Sequence, residues 1–338
     1  MHNLQTNHQK ILIIGPSWLG DMVMAQALFK RLKQINPNTI IDVAAPPWSL
    51  PLLERMPEVN SKIELNLQHG EWSLIKRYKL GKQLQKLNYT KAIILPNSWK
   101  SALIPWFANI PERIGWIGEM RFGLLNNIKA LNKATYPKMV ERYIALANHK
   151  QPTLTDPLLR PKLIADPNNI NLLKQKFNIK DNVPILALCL GAAFGEAKCW
   201  PNKYYIELAK IQAKHNWQVL LLGIDNNIQI DSNSPLIVNL LGKTSLLDTI
   251  DLLSLSQVIV CNDSGLMHIA ASFNKNIIAI YGATSPTFTP PLADNVIIIN
   301  KNLPCSPCFA RVCPLKHHNC MQQITVQEIS NYINNIKI

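Results

Sequence analysis

The chain has 338 residues, 47% of them hydrophobic and 17% charged, enough for about two domains at roughly 150 residues each. Such a composition excludes a disordered chain, and the longest apolar stretch, around residues 183–194, falls short of the roughly 20 residues that cross a bilayer. The net charge of +14 divides unevenly: residues 1–160 hold 21 Lys and Arg against 10 Asp and Glu (+11), leaving 14 against 11 (+3) for residues 161–338. That excess calls for an anionic partner of the first half, whether nucleic acid, an acidic membrane face or a phosphorylated ligand.

Residues 1–10 are polar and the apolar run 11–14 is too short for a signal-peptide core, so the expected address is the cytoplasm. The seven cysteines are then expected as reduced thiols. Residues 10–14, 40–44 and 92–95 read as buried strands, with helices over 22–35, 72–87 and 101–108. A polar stretch over 149–169 follows, with Pro152, Pro157, Pro161 and Pro167. The alternation then restarts, with strands over 185–190, 219–222, 258–261 and 277–281 and helices over 204–215, 246–253 and 266–272. Strands alternating with helices predict an α/β fold with parallel sheets covered on both faces. Two such runs predict two Rossmann-like domains, 1–160 and 161–338, with the last helix able to pack back on the first. Ligands bind beyond the carboxyl ends of such strands, so the expected site is a cleft between the domains.

The loops after the strands carry the chemistry. Gly15-Pro16-Ser17-Trp18-Leu19-Gly20-Asp21-Met22 has the spacing of a phosphate loop, but that motif needs Lys where Asp21 stands. The loop offers instead a carboxylate at the mouth of a sheet, beside a glycine that admits a substrate. A helix cap and a catalytic base both stay open for Asp21. Asn262-Asp263-Ser264-Gly265-Leu266-Met267-His268 opens a helix whose N–H groups and dipole suit a diphosphate. Asp263 and Ser264 would bond hydroxyls, and His268 follows one turn later; a capped helix with a packed histidine is the alternative. In Gly191-Ala192-Ala193-Phe194-Gly195-Glu196-Ala197-Lys198, Lys198 is either a cation for a leaving diphosphate or a solvated side chain. Tyr281-Gly282-Ala283-Thr284-Ser285 would line the same site with hydroxyls. Arg113 and Arg121 flank a loop where guanidinium groups would clamp carboxylate or phosphate. The basic stretch 72–87, with Lys76, Arg77, Lys79, Lys82 and Lys86 among apolar residues, is either a solvated face or one that rests on an anionic bilayer. No Asp-x-Asp, Gly-x-Ser-x-Gly or His-Glu-x-x-His occurs.

Read together, these segments resemble the ADP-heptose–lipopolysaccharide heptosyltransferases of glycosyltransferase family 9, the type II members most of all. The resemblance adds Leu95-Pro96-Asn97-Ser98-Trp99-Lys100, Gly115-Trp116-Ile117-Gly118-Glu119-Met120-Arg121 and Phe288-Thr289-Pro290-Pro291-Leu292, and covers nearly the whole chain. It implies a GT-B fold, two Rossmann-like domains with parallel sheets facing across a cleft, the donor held by the second and the acceptor by the first. It implies inverting transfer of L-glycero-D-manno-heptose from ADP-heptose to heptosyl-Kdo2-lipid A, at the cytoplasmic face of the inner membrane, without a metal cofactor for catalysis. Asp21 is then the base; Lys198, Asp263, Ser264, Gly265, His268, Thr284 and Ser285 bind the donor; Gly20, Lys100, Arg113 and Arg121 bind the acceptor. Relatives place a glutamate near the donor heptose where this chain has Gly223-Ile224-Asp225, so the part of Asp225 stays open. So do two rivals, heptosyltransferase I or another GT-B sugar transferase, and a non-catalytic module for anionic membrane or nucleic acid. No nucleic-acid-binding motif supports the latter.

Cys305, Cys308, Cys313 and Cys320 fall within 16 positions, with His317 and His318 in the last gap. Cys-x2-Cys is a knuckle for tetrahedral zinc, but the later spacings are irregular. A structural zinc, free thiols and a disulfide all stay open there, and no catalytic role is expected.

Overall fold

The computed structural model describes residues 9–67, 72–147, 158–225, 228 and 234–337; Pro152 and Pro157 of the expected linker lie outside them. The chain divides into two units, Met1–Pro161 and Lys162–Ile338. The first contains β1 (Lys10–Ile14), α1 (Leu19–Ile35), β2 (Ile40–Ala45), α2 (Leu50–Leu53), β3 (Ser61–Glu64), α3 (Leu74–Gln85), β4 (Lys91–Ile94), α4 (Leu103–Phe107), β5 (Glu112–Trp116), β6 (Asn127–Lys129) and α5 (Met139–Ile144). The second contains α6 (Pro167–Phe177), β7 (Ile185–Cys189), α7 (Asn202–Lys214), β8 (Gln218–Leu222), β9 (Ile237–Asn239), α8 (Leu246–Leu255), β10 (Val258–Asn262), α9 (Gly265–Ser272), β11 (Asn276–Tyr281), β12 (Val296–Asn300), α10 (Asn319–Gln322) and α11 (Val326–Asn334).

Each unit folds around one parallel six-stranded sheet, ordered β3-β2-β1-β4-β5-β6 in the first and β12-β11-β10-β7-β8-β9 in the second. Both are the same doubly wound order, read from opposite edges, and each reverses between its two central strands, β1/β4 and β7/β10. The central strands are continuous apolar runs because helices cover both of their faces: Ile11–Ile13 and Leu186–Cys189 are fully buried. The edge strands β3 and β6 are short, exposed or half-exposed and lack an apolar run, so they were not legible as strands; the edge strands β9 and β12 were missed although both are apolar.

Local chemistry fixes the helix ends. Asp166 accepts the Asn168 N–H ahead of Pro167 in α6, and Ser245 and Asp248 form a reciprocal capping box on α8, each satisfying donors the helix leaves unpaired. The last helix, α11, uses its apolar face within its own unit. Ile329 and Ile333 are buried in that core, and Ser330 accepts a bond from Gln212 of α7 at 2.9 Å. The segment expected as a helix over 101–108 is a 3-10 turn, Trp99–Ala102, running into the short α4. Part of the expected arginine-flanked loop is the strand β5.

Candidate active site

In an open parallel sheet the place where the strand order reverses leaves a crevice at the carboxyl ends, and in each unit most of the candidate residues follow those strand ends, Arg113 excepted. In the first unit the chain leaves β1 and enters α1, whose cap position is taken by Trp18 without a side-chain bond. Gly20 and Asp21 are therefore inside the first turn, so Asp21 is not the cap residue. Its carboxylate accepts a hydrogen bond from the Tyr143 hydroxyl of α5 at 3.1 Å. Burial, reinforced by that carboxylate, drives the Tyr143 phenol well above its ordinary pKa, so it stays a donor at any working pH. Beside this turn is a hollow of about 100 Å³, lined among others by Ser17, Trp48, Arg77, Lys100 and Ser101. Arg77 is the residue that the sequence reading missed. It was grouped with the basic face of its helix, but its guanidinium is buried and donates to the carbonyls of Trp72 and Lys100 at 3.0 and 3.1 Å.

The two arginines expected as acceptor clamps direct their guanidinium donors to backbone carbonyls. Arg121 is 0% exposed, and its guanidinium donates to the backbone carbonyls of Pro96, at 2.7 Å, and Trp116. Burial pushes its pKa down to about 10, still charged near neutrality. It binds the loops after β4 and β5 together. Arg113 is the second residue of β5, at the amino end of the strand and so at the far end of the sheet from the crevice. Its side chain donates to Leu124 and Ile110 carbonyls, both at 2.6 Å. A buried backbone carbonyl without a donor is costly, and both arginines supply such donors.

In the second unit the donor-side residues converge. The Lys198 ammonium lies 2.7 Å from Asp263 Oδ2, and the Thr284 hydroxyl donates to the same oxygen at 2.6 Å. The Asp263 carboxylate expected to bond a sugar hydroxyl is therefore engaged with the protein, holding Lys198 and Thr284 in place. Asn262, fully buried, fixes the loop carrying Lys198: it accepts from the Trp200 N–H at 2.9 Å and donates to the Gly191 carbonyl at 3.2 Å. Ser264 caps α9 by position but makes no capping bond, and its hydroxyl is buried with no hydrogen-bond partner. Gly265 opens the helix, so an unsatisfied hydroxyl and the positive end of a helix dipole meet beside Lys198. One turn on, His268 is buried, and desolvation brings its pKa down to about 4 against the pull of Asp263, which leaves a neutral imidazole at pH 7. Ser285 shares a 2.7 Å hydrogen bond with Thr287, and Asp225 is exposed beyond the carboxyl end of β8.

All seven cysteines are free thiols. Among the described residues no three His, Cys, Asp or Glu side chains are grouped closely enough to hold a metal, while Cys305, Cys308 and Cys313 all lie near enough to raise the pKa of Cys320, which burial raises first.

On α3 and the residue that ends it, Lys79, Lys82 and Lys86 are exposed together with Ile75 (71%) and Tyr78, next to Trp72 (73%). Residues 72–90 contain no Asp or Glu. No helix among the described residues is long and apolar enough to cross a membrane.

Comparison with known proteins places these features in a family. Residues 77–319 match Glycosyltransferase family 9 (heptosyltransferase). Lipopolysaccharide heptosyltransferase 2 of Salmonella typhimurium is 46% identical over 304 residues, 86% of this chain and 87% of that protein. Lipooligosaccharide heptosyltransferase 2 of Haemophilus influenzae is 46% identical over 305 residues, 86% and 88% of the two chains. The structure of Escherichia coli ADP-heptose LPS heptosyltransferase II superposes with a TM-score of 0.83 at 40% identity, covering 96% of this chain and 98% of that one. With its two Rossmann-like units of GT-B type, its donor-side cluster and these matches, the chain belongs to glycosyltransferase family 9, the heptosyltransferases.

Proposed function

We propose that the protein transfers L-glycero-D-manno-heptose from ADP-heptose to the first heptose of the lipopolysaccharide inner core, with heptosyl-Kdo2-lipid A as acceptor. One observation carries the donor side of this reading: on a family 9 scaffold, Lys198, Thr284 and the unsatisfied opening of α9 gather around Asp263. The choice of acceptor follows the relatives named heptosyltransferase 2.

The chemistry uses groups already in place. An acceptor hydroxyl is a weak nucleophile, so a base must take its proton as it attacks the anomeric carbon. Asp21 is that base, oriented by the Tyr143 hydroxyl. As the new glycosidic bond forms, the bond to ADP breaks and the electron pair leaves with the diphosphate. Lys198 and the N–H groups at the start of α9 stabilise that growing charge. A single displacement inverts the anomeric centre, and no step requires a metal. In an assay with EDTA present, ADP should appear in step with heptosylated acceptor; abolition of transfer by EDTA would refute the metal-free step.

The acceptor is lipid-anchored, and the enzyme meets it at an anionic membrane face. The lysines and exposed aromatics of α3 suit that surface, basic side chains facing headgroups and apolar ones entering the interface. The protein should sediment with phosphatidylglycerol vesicles but not with phosphatidylcholine. Replacing Lys79, Lys82 and Lys86 by Glu should release it; unchanged sedimentation would remove α3 from this role.

A further inference from the structure

The cysteine-bearing segment after β12 has no part in the mechanism above, yet it is tied to both loops that build the donor site. The Ala197 N–H, next to Lys198, donates to the Arg311 carbonyl at 3.0 Å, and a ring nitrogen of His318 lies 3.2 Å from the Ala197 carbonyl. On the other loop, the Phe309 N–H donates to the Ala283 carbonyl at 2.7 Å, and the Ser306 hydroxyl donates to the Gly282 carbonyl at 2.5 Å. The contact is close enough to require glycine on the donor-loop side. A Cβ on Gly195, whose φ is +154°, would meet the Arg311 carbonyl oxygen at 2.4 Å, and one on Gly282 would meet Cys320 Sγ at 2.8 Å.

This strap brings a second cation to the donor loops. The Arg311 guanidinium lies 5.6 Å from the centre of the Phe194 ring, and the Lys198 ammonium lies 4.9 Å from the same centre. Cations collect on an aromatic face because of its quadrupole, but two of them on one ring repel each other unless anions are near. Asp263 answers for Lys198. Among the described residues no carboxylate pairs with Arg311, and its side chain is exposed. A guanidinium is a planar fork of donors that matches phosphate oxygens two at a time.

We propose that Arg311 is a second cation of the donor site, binding the diphosphate of the nucleotide sugar opposite Lys198, and that the segment around Cys305, Cys308 and Cys320 is the strap that positions it. This rests on the donor-side reading above. The strap's bonds to Ala197, Gly282 and Ala283 then fix the diphosphate's two cations and the Thr284 loop as one unit.

The test compares ADP with adenosine as ligands, by calorimetry for ADP and by competition against ADP-heptose for both. Arg311→Ala should weaken ADP about ten- to a hundredfold and leave adenosine unchanged, since only the diphosphate meets the guanidinium. Arg311→Lys should recover part of the loss, and the acceptor KM should not move in either variant. Equal weakening of ADP and adenosine would show that Arg311 merely supports the loops and would overturn the proposal, as would ADP affinity equal to the wild type. A wild-type chain that binds adenosine and ADP alike would overturn the donor-side reading itself, and this proposal with it.

Discussion

Lys198→Ala removes one partner of a buried ion pair. The side chains of Lys198 and Asp263 are 14% and 6% exposed, with 2.7 Å between ammonium and carboxylate. Deleting the ammonium leaves a carboxylate with little water around it and the Thr284 hydroxyl at 2.6 Å still donating. Breaking a buried pair from one side costs about 3–5 kcal/mol. The retained hydroxyl and the partial exposure of Lys198 place this case at the lower end, about 3 kcal/mol. Adding Asp263→Asn removes the orphaned charge, so the double variant should recover about 2 kcal/mol of that loss, a coupling within the range for residues in contact. ADP binding should not recover, because the cation for the diphosphate is absent in both. Calorimetric unfolding of the wild type, both single variants and the double variant, each with and without ADP, reads both quantities. A double variant as unstable as Lys198→Ala, or one that regains ADP stabilisation, would refute the reasoning.

Asp21→Asn should leave the melting temperature unchanged and lower kcat by about 10²–10⁴-fold, the usual contribution of a general base; near wild-type turnover would return Asp21 to a structural role in α1. Arg121→Ala should cost about 3 kcal/mol by stripping donors from the Pro96 and Trp116 carbonyls, while the acceptor KM of the fraction still folded stays put. A raised KM at unchanged stability would restore the acceptor clamp. His268 is held near pKa 4 by burial, against about 6.5 in an unfolded chain. Below pH 6.5 the unfolded chain therefore takes up a proton that the folded one refuses, and stability should fall as the pH drops from about 6.5 to about 4, by up to about 3 kcal/mol. His268→Gln should remove that part of the slope; identical slopes in urea titrations across this window would contradict it.

The site loops were legible in the sequence because each follows an apolar run and opens with glycine, hydroxyl or carboxylate residues that a buried strand excludes. Asp21, Lys198, Ser264 and Thr284 were picked out that way, and the last two flank Asp263 or bond it in the structure. The uses of polar side chains were not legible, because they depend on partners distant in sequence. Tyr143 reaches Asp21 across 122 residues, and Thr284 reaches Asp263 across 21. Arg113 and Arg121 have the composition of an anion clamp, and only the position of β5 shows that their donors go to carbonyls. Arg77 was hidden by its lysine neighbours, though its helical spacing from Gly81 and Leu84, both buried, is the signal that sets it apart. The cysteine spacing left zinc, free thiols and a disulfide open, and it gave no sign that the segment bonds both donor loops through its backbone, Ser306 and His318.

The central claim concerns what is transferred to what, and one measurement addresses it most directly. Purified protein is incubated with ADP-heptose and, separately, with acceptors that end in Kdo or in a single heptose, and the products are read by mass spectrometry. The account predicts one added heptose on the heptose-terminated acceptor and none on the Kdo-terminated one. Transfer to the Kdo-terminated acceptor alone would make the enzyme a first-heptose transferase, and no transfer to either would contradict the assignment of its substrates.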